Sequence, residues 1–255
     1  MVARRERDVV SERVLTASAL GDIAYADALE LQRAAVAARA EGTCGDLLLF
    51  PDHPPVLTVG RSARESSLKV DRDTLDSMGI PVFEVSRGGD VTWHGPGQLV
   101  GYTILGLEAE RRDLHRLLRG LEGALIRLLA GYGIAAERSD GRTGVWVGEQ
   151  KIASIGIAVS RWVSFHGFAL NVAPDLHYFD LIHPCGLRGI RMTSIAERLG
   201  ARAPALARVR EDAAREVATE LGYDRVEWAS RERVRGLIHR AAPEPTVPMT
   251  PTRAA

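Results

Sequence analysis

Residues 144–172 read Gly144-Val145-Trp146-Val147-Gly148-Glu149-Gln150-Lys151-Ile152-Ala153-Ser154-Ile155-Gly156-Ile157-Ala158-Val159-Ser160-Arg161-Trp162-Val163-Ser164-Phe165-His166-Gly167-Phe168-Ala169-Leu170-Asn171-Val172. Three strand-like runs stand here: Gly144 to Val147, Lys151 to Val159 and Trp162 to Val172. Only Gly148-Glu149-Gln150 and Ser160-Arg161 separate them, and turns this short call for an antiparallel meander. Working outward, Leu99 to Ile104 and Ile80 to Val85 read as further strands. Asp46 to Phe50 and Val56 to Gly60 flank the stiff turn Pro51-Asp52-His53-Pro54-Pro55 and read as a hairpin. Asp22 is placed to cap an alanine-rich helix running to about Ala40. Leucines 114, 117, 118, 121, 125, 128 and 129 recur at three and four, which predicts an amphipathic helix from about Glu108 to Ala130. Short helices are expected at Asp71 to Met78 and from Ser194, with a longer one through Leu206, Val209, Ala213, Val217 and Leu221. Strands come in hairpins and helices in blocks, so the expected class is α+β: a mixed, largely antiparallel sheet flanked by helices.

The bulk numbers exclude several classes. The chain has 255 residues, a formal net charge of zero, 45% hydrophobic and 26% charged residues. A neutral balance gives no field for nucleic acid or an anionic membrane. No apolar run reaches the ~18–20 residues needed to span a bilayer, and Met1 to Ser11 lacks the apolar core of a signal peptide, so a cytoplasmic protein is expected. The organisation reads as a polar arm (1–20), one catalytic domain (21–240, larger lobe to about 180 and smaller lobe from about 181) and a Pro-rich disordered tail (241–255). Cys44 and Cys185 make no disulfide framework, and the histidines show no metal spacing, so neither metal nor cofactor is expected.

Chemistry concentrates in a few stretches. In Pro184-Cys185-Gly186 a thiol sits on a turn stiffened by proline and freed by glycine, a geometry suited to an acyl-transfer nucleophile; a small buried hydrophobe is the plainer reading. Arg87-Gly88-Gly89-Asp90-Val91-Thr92-Trp93-His94-Gly95-Pro96-Gly97-Gln98 is glycine-rich without the ending of a phosphate loop. Arg87, Thr92 and His94 add polar groups that can orient a substrate, and Trp93 adds apolar surface. Lys69 and Lys151 are the only lysines. Lys151 opens the second meander strand, where an inward side chain would serve as a base and an outward one would guard a strand edge. Ser154 and Gly156 are small residues on one alternation. His53, His94 and His166 sit beside Pro or Gly, positions that suit either ligand contact or structural hydrogen bonding.

Taken together, His53-Pro54-Pro55-Val56, the Arg-Gly-Gly-x-x-Thr-Trp-His-x-x-Gly-Gln-x-x-x-Tyr pattern of Arg87 to Tyr102, Lys151 to Ile157, His166 to Val172 and Pro184-Cys185-Gly186 with Thr193-Ser194 resemble one family. It is the octanoyl-[acyl carrier protein]:protein octanoyltransferases, or lipoate-protein ligase B family. The match spans roughly residues 20–200 in constant order, and His183 and Gly189 to Met192 depart from its usual pattern. The resemblance implies the catalytic fold of biotin and lipoate protein ligases. It implies lipoyl(octanoyl) transferase activity, the first step of endogenous protein lipoylation: an octanoyl group passes from octanoyl-acyl carrier protein to a lysine of lipoyl domains, in 2-oxoacid dehydrogenase E2 subunits and glycine cleavage H protein. By position Cys185 looks like the acyl-thioester nucleophile and Lys151 its base. Arg87 to His94 (Arg87, Gly88, Gly89, Asp90, Val91, Thr92, Trp93, His94), Ser154, Ile155, Gly156, Gly167, Phe168 and Ala169 would line the substrate. His53 and His166 are further site candidates. No ATP is needed for transfer from a thioester, and a monomer is expected. An apolar tunnel would hold the chain, and Arg61, Arg64 and Arg188 would meet the acidic carrier. The alternatives are an ATP-dependent lipoate or biotin-type protein ligase and a non-catalytic acyl-carrier-binding module.

Overall fold

The structure, a computed structural model, describes residues 12–107, 112–183 and 189–239. Its backbone is a sheet of eight strands in the order β11-β1-β2-β6-β10-β9-β8-β7. These are β1 (Val14–Asp22), β2 (Asp46–Asp52), β6 (Gln98–Ile104), β7 (Glu137–Ser139), β8 (Arg142–Val147), β9 (Gln150–Ser160), β10 (Val163–Asn171) and β11 (Arg225–Trp228). The expected meander is β8-β9-β10, with each neighbour antiparallel. Its β9–β10 turn places Arg161 and Trp162 at positive φ, the backbone of a tight two-residue hairpin. β11, β1 and β2 run parallel, and every other pairing in this sheet is antiparallel. The sheet is therefore mixed and largely antiparallel.

Helices α3 (Leu114–Gly131) and α5 (Leu206–Leu221) cover one face, where Leu117, Leu121, Leu125, Leu128 and Leu129 bury the expected stripe against Phe168, Leu170 and Val217. α1 (Tyr25–Ala40) and α6 (Arg231–His239) share the other cluster, with Val100, Tyr102 and Ala169 of the sheet. Short helices α2 (Arg72–Ser77) and α4 (Ile195–Leu199) start where their caps predict: Asp71 accepts from Thr74 N and Ser194 from Glu197 N. A second sheet of three strands, β4 (Val82–Glu84), β3 (Val56–Val59) and β5 (Val91–His94), has its own core around Trp93.

Several expectations are corrected. β2 and β3 do not form a hairpin: the turn at 51–55 carries the chain from the large sheet to the small one. Asp22 ends β1, and α1 begins after Ala24 without a side-chain cap. Val14–Asp22, which overlaps the stretch read as an arm, is an internal strand, because Leu15, Ala17, Ser18 and Leu20 are buried in it. Within the glycine-rich loop, Val91–His94 is strand. Residues 195–239 add β11 to the large sheet and α5 to its core rather than standing apart. The tail at 241–255 lies outside the described residues. Among the described residues no helix is long and apolar enough to cross a membrane.

Candidate active site

On the α1 face of the sheet, strand register brings small residues together. Val100, Ala169 and Ser154 form one cross-strand row, and Tyr102, Gly167 and Gly156 the next. These rows floor a cavity of about 580 Å³. Its wall is the Arg87 to His94 segment, held down by hydrogen bonds at both edges. Arg87 Nη2 donates to Thr58 O (2.8 Å) and Thr58 Oγ1 (2.9 Å), and Gly88 N donates to Ile157 O at 3.0 Å. Glycine at 156 is required by this crossing, since a Cβ there would lie 2.8 Å from Gly88 O and 3.1 Å from Arg87 Cδ.

Lys151 reaches the cavity because of a β-bulge. Val145 pairs with Ala153 but Trp146 pairs with Lys151, so Ile152 is an extra residue in β9. Strict alternation would put Lys151 on the face of Ala153 and Ile155, which pack into the core with α3. The bulge turns it over to the face of Ser154. Lys151 is 2% exposed. Its Nζ donates to Thr143 O at 2.9 Å and lies 5.4 Å from the Trp146 ring centroid. Its main chain is fixed as well: Lys151 N donates to Arg191 O at 3.0 Å and Thr193 N to Lys151 O at 2.9 Å.

The other end of the cavity, about 15 Å along β9 at the spacing of a strand, is closed by aromatic polar groups rather than the aliphatic lining expected of an alkyl tunnel. Tyr102 Oη donates to His53 Nε2 (2.7 Å), while His53 Nδ1–H donates to Ile23 O (2.9 Å). Tyr25 stacks on His94 with ring centroids 6.3 Å apart. His166 is held at φ +59 with its N–H donating to Gln32 Oε1 at 2.8 Å, a backbone geometry costly outside glycine. All are neutral near pH 7. Burial, reinforced by His53 and Arg87, lowers the His94 pKa to about 3; burial, with Arg87 and Arg33, does the same to His166. Burial also lowers His53 and raises Tyr25 to about 12 and Tyr102 well above its ordinary value.

Of the expected site residues, Arg87, Gly89, Asp90, Val91, Thr92, His94, Lys151, Ser154, Gly156, His166, Gly167 and Ala169 line the cavity. Ile155 and Phe168 border it, but both belong to the core under α3. Phe168 lies over Gly101, where a Cβ would come within 2.4 Å of its ring. Three do not line it. Gly88 spends its N–H on Ile157, so that donor is not available to an oxyanion. Trp93 points into the small sheet's core, stacked on Tyr178 at 4.8 Å. His53 lies behind Tyr102. Cys185 and Arg188 lie outside the described residues. Tyr25, Val100, Tyr102, Ser62, Arg64 and Gly141 to Thr143 also line the cavity. Of these Tyr102 stood in a recognisable pattern and Arg64 was expected to meet the carrier; the others arrive from distant segments and carry no local signal.

Residues 24–218 match the lipoyl protein ligase A/B catalytic domain. The chain belongs to that family. Within it, the chain is 53% identical over 184 residues to an octanoyltransferase of Solibacter usitatus, covering 72% of this chain and 83% of the relative. It is 48% identical over 202 residues to one of Chloroflexus aurantiacus, covering 78% and 90%. This member of the lipoyl protein ligase A/B family thus stands among octanoyltransferases, which are acyltransferases. Lipoate-protein ligase A bound with ATP shares the fold at 17% identity and a TM-score of 0.67, covering 90% of this chain and 93% of that one. The bi-partite lipoate protein ligase of Thermoplasma acidophilum does so at 17% and 0.64, covering 90% and 91%.

Proposed function

We propose that this chain transfers an octanoyl group from octanoyl-acyl carrier protein to the lysine of lipoyl domains, through a Cys185 thioester with Lys151 as proton carrier. The observation that carries the reading is the bulge at Ile152, which turns the buried Lys151 into a cavity floored by small residues. The flanks of the Cys185 segment support it. His183, a cavity residue, is tied to Ser67 O through its N–H at 2.8 Å, and Arg191 O and Thr193 N both bond the Lys151 main chain. Cys185 follows His183 by two residues, a span of at most about 7 Å.

In the first step the Cys185 thiolate, its proton taken by Lys151, attacks the donor thioester carbonyl. The carrier's sulfur leaves and recovers that proton, giving octanoyl-Cys185. In the second the neutral amine of the lipoyl-domain lysine attacks the new thioester, the C–S bond breaks, and the amine's proton passes through Lys151 to Cys185. Thioester to amide is downhill, so ATP is not consumed. Cationic Lys151 stabilises the thiolate before it attacks in the first step and again as it leaves in the second. The acceptors fitting this chemistry are lipoyl domains of 2-oxoacid dehydrogenase E2 subunits and glycine cleavage H protein.

Wild-type protein mixed with octanoyl carrier protein, without ATP, should gain one octanoyl mass that hydroxylamine removes. Adding a lipoyl domain should move that mass to the acceptor. An identical labile adduct on Cys185→Ser would place the nucleophile elsewhere, and a strict ATP requirement would favour a ligase. Lys151→Arg keeps the charge but cannot shed a proton near neutral pH, so turnover should fall by about a hundredfold or more, in the range of general acid–base catalysis.

A further inference from the structure

The floor of the cavity changes character along β9. At Ser154, about 10 Å from Lys151 at the spacing of a strand, its cross-strand neighbours are Val100 and Ala169, and the row is small and mostly apolar. At Gly156, about 15 Å away, the neighbours are Tyr102 and Gly167, and Tyr25, His94 and His166 line the space around them. Tyr25 and His94 stack at 6.3 Å, and Tyr102 meets His166 edge-on at 6.5 Å. Tyr25, His94 and His166 are only 3%, 7% and 2% exposed.

Buried polar atoms in folded proteins nearly always have partners, yet this end leaves several without one among the described residues. His166 Nε2 is buried and unbonded. Nothing bonds the Tyr25 hydroxyl, and His94 spends only Nδ1, on Gln98 Oε1 at 2.7 Å. The partners these atoms need must therefore come from inside the cavity. Both imidazoles are neutral at pH 7. The group that suits them is uncharged and both donates and accepts, as water and a hydroxyl do. A methyl group does neither.

An acyl chain bound beside Lys151 meets the two zones in turn. The seven C–C bonds of octanoyl zigzag to about 9 Å, which lays the chain over the Ser154 row and ends it before the Tyr102 row. Eleven bonds reach about 14 Å, so a dodecanoyl methyl enters the polar end and strips its groups of water. A purely apolar tunnel would gain about fourfold for each added CH₂. Here each polar group left dry costs about tenfold or more. We propose that Tyr25, His94 and His166 make the far end of the cavity a hydroxyl-binding subsite, which rejects a long acyl chain ending in methyl and accepts one of the same carbon count ending in hydroxyl. This rests on the octanoyl-transfer reading and extends its substrates to ω-hydroxyacyl thioesters. The reaction is the same transfer: the donor's acyl C–S bond breaks, the bond to Cys185 forms, and the distant hydroxyl takes no part.

The test gives the full chain octanoyl, dodecanoyl and 12-hydroxydodecanoyl carrier protein in competition and reads the mass of the acyl-enzyme. Dodecanoyl should load about tenfold or more slowly than octanoyl, and the terminal hydroxyl should recover about tenfold. Tyr25→Phe removes only a hydroxyl, and it should narrow the gap between the two twelve-carbon chains by roughly fivefold, the worth of one neutral hydrogen bond. His166→Phe should narrow it likewise. Equal rejection of both twelve-carbon chains would mean a steric stop, and dodecanoyl loading as fast as octanoyl would mean an apolar end; either overturns the proposal. So does a hydroxyl advantage that neither variant alters. Calorimetry with free dodecanoate and 12-hydroxydodecanoate needs no turnover, and the hydroxy acid should bind about tenfold tighter. If no donor acylates the protein, octanoyl transfer falls, while the two acids still decide what the far end binds.

Discussion

Gly144 shows how closely the proposed base is fitted. Its φ of +119 lies in a region that side chains avoid, and a Cβ there would stand 2.5 Å from Ala153 O and 2.6 Å from Lys151 Cε. Its N–H donates to Glu122 Oε1 at 3.0 Å. Glu122, buried on α3, also takes Arg119 and Arg138, so a helix on the far face of the sheet steadies the backbone that receives the ammonium. Those arginines are about half exposed, so their pairing adds little stability in itself. The fixed orientation of Thr143 O is the larger consequence. Gly144→Ala should therefore cost about 1–2 kcal/mol from the backbone alone, read as a lower urea midpoint. It should also displace the Lys151 stem. A shift of ~1 Å can cost a hundredfold in rate, so transfer should fall far more than the folded fraction does. Unchanged turnover would mean that Lys151 does not work from this position.

At the scale of elements, the bulge in β9 is the decisive feature, and it was not legible in the sequence. Lys151-Ile152-Ala153-Ser154-Ile155 alternates well enough to read as an ordinary strand; only the pairing of Trp146 with Lys151 reveals the extra residue. The meander was legible because its turns are short and local. The stripe of α3 was legible because five of its leucines bury on one side, and the starts of α2 and α4 because Asp71 and Ser194 bond their own helices. What escaped were pairings across long stretches of chain. β11 joins β1 through Val14 and Arg225, and β3 leaves β2 for a separate sheet. Neither has a nearby sequence signal, because the partner that makes each a strand is far away. Trp93 was misplaced for the same reason: Tyr178 and Phe179, which bury it, follow some eighty residues later. Inserting one residue between Val145 and Trp146, so that Ile152 gains a partner, tests the bulge. Regular pairing would then turn Lys151 into the core beneath α3, at a cost of several kcal/mol for a buried ion. Adding Lys151→Leu to the insertion should restore stability in a thermal melt without restoring transfer. An insertion variant as stable and active as wild type would refute the re-aiming role.

Over the whole molecule, the neutral aromatic end of the cavity sets an acid limit. His94 and His166 each have a folded pKa of about 3, against about 6.5 in an unfolded chain. Above pH 6.5 both states are neutral and stability does not depend on them. As pH falls from 6.5 towards 3, the unfolded chain binds protons that the fold refuses, so stability is lost at up to ~1.4 kcal/mol per pH unit for each histidine. The slope must run in that direction, because the folded values are depressed. Between about pH 6.5 and 4.5 most carboxylates remain ionised, which leaves this window to the histidines. Against a typical total of about 5–15 kcal/mol, two such slopes bring unfolding within reach before either ring titrates in place. Urea midpoints should therefore stay flat from pH 8 to about 7 and then fall steeply on acidification. His166→Asn removes one ring and suits the positive φ at that position better than most residues, so it should cut the slope by about one histidine's share. An NMR titration that found His94 or His166 protonating near pH 6.5 would overturn the account. It would also mean that water reaches the far end of the cavity, where the fold packs Tyr25, Tyr102 and His53 around the two rings.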